Sequence, residues 1–481
     1  MEYGLVVLWL VAYAVLTAIS LPIASVLFER FPGHGATFAL PISLAVMTLV
    51  AYWIGHLAFG WFTAVIAVCI LLVLSALAFR AGGTIHPRAF LGAMTVFALA
   101  FLFMVAIRAV DPAVHPAGGE KFLDFGLLKT VLRADRFPPE DFWFAGKTLR
   151  YYYGGFLMTD ILSMLTRTPL RYAYNLALAG FYATLLTVAY GLAGAIADTH
   201  GKSVRAAGVC AVFFVGIAGN IVTPARMVLG FVPKKLAAQY GHVFLSAIRG
   251  VPSEQLIGTV TTPEGFSYWY ARYVIDGTID VFPLWSFLNG DLNAFMIAMT
   301  FLVGCAALSF AYYRTPESEL ARRRALVFAA FPPAAGLCAL ISTWSFPSAI
   351  GLCWLSLTFA DARPATLLPP SLSRYVPIPT DATTVRVRLR DEVSRTVVAA
   401  VLAIAAGVLG AAWASPFLLF NKPVVRGVVL FPPRSGLIQL FLVHGAFLVV
   451  FALYLLARRP PWLRERVSNS RTRTLAVVGV V

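Results

Sequence analysis

GLVVLWLVAYAVLTAISLPIASVL, Gly4 to Leu27, runs for 24 residues without a charged side chain. A bilayer core about 30 Å thick takes about 20 apolar residues to cross as a helix, the form that satisfies every backbone N–H and C=O where water is absent. The stretch predicts a membrane-spanning helix. The same signal recurs at 36–56, 60–79, 89–110, 172–197, 206–222, 294–313, 325–342, 344–360, 396–415 and 437–457, about eleven spans in all. Residues 154–168 and parts of 228–250 are shorter or more broken and predict interfacial or re-entrant helices. The expected fold is an all-α polytopic transmembrane bundle, with residues 1–481 forming a single multi-pass membrane domain. The first run lacks a basic n-region, so it reads as an anchor, while the apolar stretch 474–481 is too short to cross.

Composition leads to the same class. Of 481 residues, 59% are hydrophobic and 12% charged, half the charge of an ordinary soluble domain, so more apolar surface exists than one soluble core can hide. The net charge of +16 resides between spans, which points to membrane orientation and away from a nucleic-acid partner. Cys69, Cys210, Cys305, Cys338 and Cys353 all lie in apolar runs and form no CxxC pair, so neither a disulfide framework nor a zinc site is suggested. HExxH, GxSxG and strand-linked GxGxxG motifs are absent, and Gly201-Lys202-Ser203 lacks the leading glycine of a P-loop.

Lys and Arg counting sets orientation. Alternate loops 28–35, 80–88, 198–205, 314–324, 361–395 and 458–473 hold 21 of the 38 basic residues and read as cytoplasmic. The plasma membrane is then the expected location, with the first large outer loop at 111–153, carrying surface helices, and a second outer segment at 223–293. Both gather unusual chemistry. Lys121 to Asp135 has Phe122, Phe125, Leu128 and Leu132 at helical spacing, a surface helix with Asp124 at one end. FPPEDFW, Phe137 to Trp143, turns the chain because its prolines fix φ and remove donors. Asp276, Asp280, Asp291 and Asn293 precede a span and mark a cavity mouth; Asp291 and Asn293 are candidates for a divalent cation or for capping the helix that follows. The loop 416–436 adds Lys422, Arg426 and Arg434, and His444 is an ionisable group within a span.

At RYYYGG, Arg150 to Gly155, the chain resembles the YYY membrane proteins, multi-span proteins named for a tyrosine triplet, here Tyr151, Tyr152 and Tyr153. LDFGLLKTVLRADRFPPEDFWFAGKTLRYYYGG, GTIDVFPLWSFLNGDL, TWSFP and PPRSGLIQLFLVHG follow the family order from about Asp111 to the last complete span. The resemblance implies histidines where Phe156, Asn293 and Phe295 stand, and an acid where Ser345 stands. The order of an acid in the first outer loop, an aromatic Pro/Gly-rich stretch and a short apolar helix also resembles GT-C glycosyltransferases, which implies sugar transfer from a polyprenyl-phosphate carrier. On that reading Asp124, then Asp111, is the base; Lys147, Arg150 and Arg434 hold the carrier phosphate; and Trp143 with Tyr151 to Tyr153 contacts the sugar or lipid. The alternatives are a non-catalytic membrane subunit and, less favoured, a transporter.

Overall fold

In a computed structural model of the chain, residues 3–115, 119–222, 224, 271–272, 274–275, 278–374, 385–421 and 434–457 are described. The expectations for Asp276, Lys422, Arg426, the helices within 228–250, the loop 458–473 and the end 474–481 lie outside the described residues. Among those described, the chain is all-helical, with no strand beyond an isolated bridge between Glu140 and Thr148. The helices are α1 (Tyr3–Leu27), α2 (Ala39–Gly55, entered by a tight turn at Pro32–Phe38), α3 (Trp61–Arg80), α4 (Pro87–Val110), α5 (Lys121–Arg133), α6 (Gly154–Thr166) and α7 (Leu170–Thr199). They continue with α8 (Val204–Gly216), α9 (Pro283–Asn289), α10 (Ala294–Tyr313), α11 (Leu320–Ile341), α12 (Ser345–Phe359), α13 (Val385–Trp413) and α14 (Leu437–Ala457).

Nine described helices are long and apolar enough to cross a membrane: α1, α2 with its entry turn, α3, α4, α7, α10, α11, α13 and α14. Two expected spans fall short of that length. The stretch 206–222 yields the 13-residue α8, which stops where Tyr182 Oη donates to the Gly216 carbonyl at 3.1 Å, replacing the next turn's N–H. The stretch 344–360 yields the 15-residue α12, delayed by a turn in which Ser345 N donates to Ser342 O at 2.9 Å. In α11 the ladder widens to π-type over Leu326–Ala330, directly before Pro332 and Pro333, whose missing N–H groups cannot continue α-type bonding.

The chain divides into two compact units. The first comprises Met1–Ile217 and Ser286–Gly427. Its centre is α7, 78% of whose apolar window is buried against neighbours that include α4, α8 and α10, whereas α3 buries only 28% and leaves the rest for lipid. The second comprises Ala218–Trp285 and Val428–Val481. Its described core is Val222, Val274, Leu442 and Val443, with Ile221, Ile275 and Phe282 packed around them.

Within the first unit, helix ends sort into two sets. At one end Arg322 pairs with Glu29 at 2.7 Å, Arg30 with Glu319 at 2.5 Å, Arg314 with Asp198 at 3.3 Å and Arg363 with Asp391 at 3.3 Å. The His34 and His86 rings stack there at 4.1 Å. These contacts gather the loops 28–35, 80–88, 198–205, 314–324 and 361–395. At the opposite end Phe59 N reaches Asp135 O and Phe137 N reaches Gly55 O, both at 2.7 Å, and Phe417 N reaches Tyr52 Oη at 2.9 Å. The acidic loop chemistry lies at this second end.

Candidate functional site

Helix α5 buries Lys121, Asp124, Leu127, Leu128 and Val131 and leaves Phe122 60% exposed. Its buried stripe is therefore rotated from the expected line of Phe122, Phe125, Leu128 and Leu132. Asp124 stands on the inward face, only 1% exposed, and its Oδ2 has no hydrogen-bond partner. That face meets α6 and α7, and its polar neighbours come from the turn between α9 and α10. Tyr174 Oη, on α7, accepts the Leu292 N–H at 2.9 Å and lies close enough to Asp124 to act on its charge.

Three carboxyls converge here. Asp291 Oδ1 accepts the Glu120 N–H at 3.0 Å, and Oδ2 accepts from the Asn289 amide. Asn293 donates to Glu120 Oε2 at 2.6 Å while its own oxygen caps α10 by accepting Phe295 N at 3.4 Å. Burial, then the charges of Asp291 and Glu120, hold the Asp124 carboxyl well above its ordinary value of 3.8, against the opposing Leu292 N–H and Tyr174 hydroxyl. Burial also raises Asp291, against the bonds from Glu120 N and Asn289.

Two cations face this cluster. Arg108, in the last turn of α4, is 5% exposed and donates through Nε to Asn175 Oδ1 at 2.8 Å; Asn175 in turn donates to the Pro112 carbonyl at 2.8 Å. Lys121 is equally buried. Gly290, at φ +79°, lets the backbone pass between them: a Cβ there would stand 2.6 Å from Arg108 Nη1 and 3.1 Å from Lys121 Cε. Gly119, at φ +108°, plays the same part beside Asp291, 2.5 Å from Oδ1. Arg108 and Asn175 also line a cleft of about 140 Å³ whose remaining walls include Leu5, Val6, Val105 and Leu176. It is an apolar slot with a guanidinium and an amide in its lining.

The other sequence candidates spread out. Asp111 is exposed and pairs with His115 at 3.4 Å; burial opposes it, but His115, the Ala113 N–H and Arg108 hold its carboxyl below the ordinary value. Lys147, Arg150 and Trp143 are exposed, and Trp143 stacks on Phe142 at 4.6 Å. Arg434 is exposed in the second unit, as is His444, whose ring lies 6.4 Å from Phe282. The tyrosine triplet divides its labour. Tyr153 is wholly buried, 5.4 Å from the Phe137 ring and 5.9 Å from Phe417, and anchors the loop, whereas Tyr151 is raised by burial and then by the charges of Asp124 and Glu120. Phe156 is buried, Phe295 is 38% exposed, and Ser345 opens α12.

Sequence reading passed over Glu120, Lys121, Arg108, Tyr174 and Asn175 as members of the site. An arginine in the final turn of a span was the available signal for Arg108, since a charge at that depth requires partners. It also passed over Asp160, which sits wholly buried in α6 with neither carboxyl oxygen bonded. Among the described residues no group of three His, Cys, Asp or Glu is arranged to hold a metal ion.

Nine helices among the described residues that are long and apolar enough to cross a membrane define a multi-pass helical membrane protein. More particularly, the chain belongs to the family described as uncharacterized membrane protein (DUF2298), which it matches over residues 46–481. No curated protein and no solved structure matches it.

Proposed function

We propose that the protein is a GT-C-like glycosyltransferase of the plasma membrane that takes a sugar from a polyprenyl-phosphate carrier at the non-cytoplasmic end of the bundle. The observation that carries this reading is the buried Asp124 carboxyl with an unpartnered Oδ2, held in one cluster with Arg108 and Lys121. In an inverting transfer the acceptor hydroxyl oxygen bonds to the anomeric carbon as that carbon's bond to the phosphate oxygen breaks. The electron pair leaves with the phosphate and the hydroxyl proton passes to Asp124 Oδ2. Arg108 and Lys121 stabilise the charge growing on the phosphate, a task for which they are better placed than the exposed Lys147 and Arg150. The slot lined by Leu5, Val6 and Leu176 suits the first isoprenoid units, and Tyr151 flanks the sugar.

The test is transfer from a defined polyprenyl-phosphate sugar by purified protein. The reading expects activity in the wild type and its loss, by about 100-fold or more, in Asp124→Asn. Unchanged transfer by the variant removes Asp124 as base, and no transfer by the wild type with any carrier favours the second reading, a non-catalytic membrane subunit. Phe156, Asn293 and Phe295 support that second reading, because they cannot exchange protons at positions where the resemblance implies imidazoles.

A further inference from the structure

The side-chain amide of Asn175 is fixed in one orientation by its two neighbours. The Pro112 carbonyl can only accept, so the amide nitrogen faces it, at 2.8 Å, and the amide oxygen is left to accept Arg108 Nε, also at 2.8 Å. This pair of bonds ties the last turn of α4, and the segment just beyond it, to the first turns of α7. A guanidinium holds its N–H donors in one plane, so fixing Nε fixes the direction of the Nη edge as well. Arg108 is thereby set in the wall of the cleft of about 140 Å³ that Asn175 and Pro112 also line.

The residue type at 175 matters electrically. An aspartate there could hold Nε equally well, but it would neutralise the guanidinium and set a carboxylate oxygen against the Pro112 carbonyl. Asparagine orients the cation without cancelling its charge. The acid nearest along the chain, Asp111, is turned to His115 at 3.4 Å. Arg171, exposed and with no carboxylate partner among the described residues, lies over the ring of Tyr172, another wall residue, 4.8 Å from its centroid. The remaining walls are apolar, and two of them, Leu5 and Val105, are half-buried. They stand on α1 and α4, which bury less than half of their apolar windows, so a lipid tail reaches the cleft from the bilayer without crossing the bundle.

We propose that Asn175 is a positioning residue for ligand charge: holding Arg108 through a neutral oxygen, it makes the cleft select a single-tailed amphiphile with a phosphate head over one with an uncharged head. That the tail is polyprenyl rests on the transferase reading; the choice of an anionic head over a neutral one rests on Asn175 and Arg108. An apolar tail gains little by leaving other lipid, so discrimination must come from the head.

The test is direct binding by the purified full chain in detergent, measured by titration calorimetry with farnesyl phosphate, with farnesol as its uncharged counterpart and with inorganic phosphate as the head alone. The wild type is expected to bind farnesyl phosphate about tenfold or more tighter than either of the others. Asn175→Asp neutralises Arg108 and Asn175→Leu releases it; both are expected to weaken farnesyl phosphate by about tenfold and to leave farnesol unchanged. Unchanged farnesol binding also shows that the variants are folded, and a role in stability alone would lower both affinities together. Equal binding of farnesol and farnesyl phosphate by the wild type overturns the proposal, as does undiminished preference in both variants. Inorganic phosphate bound as tightly as farnesyl phosphate also overturns it, leaving an anion site without a tail slot. Binding needs no turnover, so a wild type that selects farnesyl phosphate but transfers no sugar supports the role of Asn175 while ending the transferase reading.

Discussion

Asn293 donates to the Glu120 carboxylate at 2.6 Å across 173 residues of sequence, tying the start of α10 to the residue that leads into α5. The same amide caps α10 through its oxygen, so one side chain fixes both the helix and the acid beside Asp124. Asn293→Asp keeps the cap but replaces a donor by a second negative charge. The variant is expected to lose about 1 kcal/mol of stability, a loss read as an earlier thermal transition by intrinsic fluorescence in detergent; a later transition would contradict this role.

Asp124 makes the protein's stability depend on pH with a definite sign. Its unfolded carboxyl titrates near the ordinary 3.8 and its folded carboxyl well above. Between those values the folded state binds the extra proton, so stability is greatest below the unfolded value and falls as pH rises toward the folded one. Asp124→Asn is expected to flatten that slope in a thermal series from acid to neutral pH; an unchanged slope would place the titrating group elsewhere.

Asp291 bears on the same carboxyl from outside. Its charge is the second cause of the raised Asp124 value, after burial, so Asp291→Asn is expected to bring Asp124 down. In the transfer assay the rate rises with pH as Asp124 loses its proton, and the variant's acid limb is expected at lower pH than the wild type's. A limb shifted upward would reverse the assignment.

Gly290 is a tight backbone passage beside Arg108. Gly290→Ala places a methyl 2.6 Å from Arg108 Nη1 and imposes a side chain on φ +79°. The expected cost is about 1–3 kcal/mol, with sugar transfer reduced further than stability alone explains because Arg108 must move. Comparison of melting temperature with activity at a temperature where both proteins are folded separates the two effects.

Asp160 offers a prediction in the opposite direction. A wholly buried carboxyl with no partner on either oxygen opposes folding, so Asp160→Val is expected to stabilise the protein by about 1–2 kcal/mol. A destabilised variant would mean that the acid is bonded in the native protein.

The long spans were legible because span length and absence of charge are one-dimensional properties, as Gly4 to Leu27 illustrates. The helical phase of α5 was harder. A stripe drawn through Phe122 and Leu132 assumes that the buried face is the apolar one, whereas near a polar site the inward face carries Lys121 and Asp124. Arg108 and Asn175 are neighbours only because α4 and α7 pack side by side, a relation no local pattern encodes. The tyrosine triplet was visible as a feature, but its division into a core anchor, Tyr153, and a site neighbour, Tyr151, depends on Phe137 and Phe417 arriving from distant segments.

Helix α12 leads from the acidic end of the first unit, at Ser342–Trp344, to the arginine-rich end, where Arg363 N meets Glu317 at 3.1 Å. Fifteen residues measure about 22 Å, against a hydrocarbon thickness of about 30 Å. Trp344, Trp354 and Phe359 remain exposed along this helix. A helix this short, set among nine described helices of span length, is accommodated by local thinning of the bilayer, by snorkelling of flanking side chains or by association with another helix, so the surface beside α12 is where lipid and protein must adjust to each other.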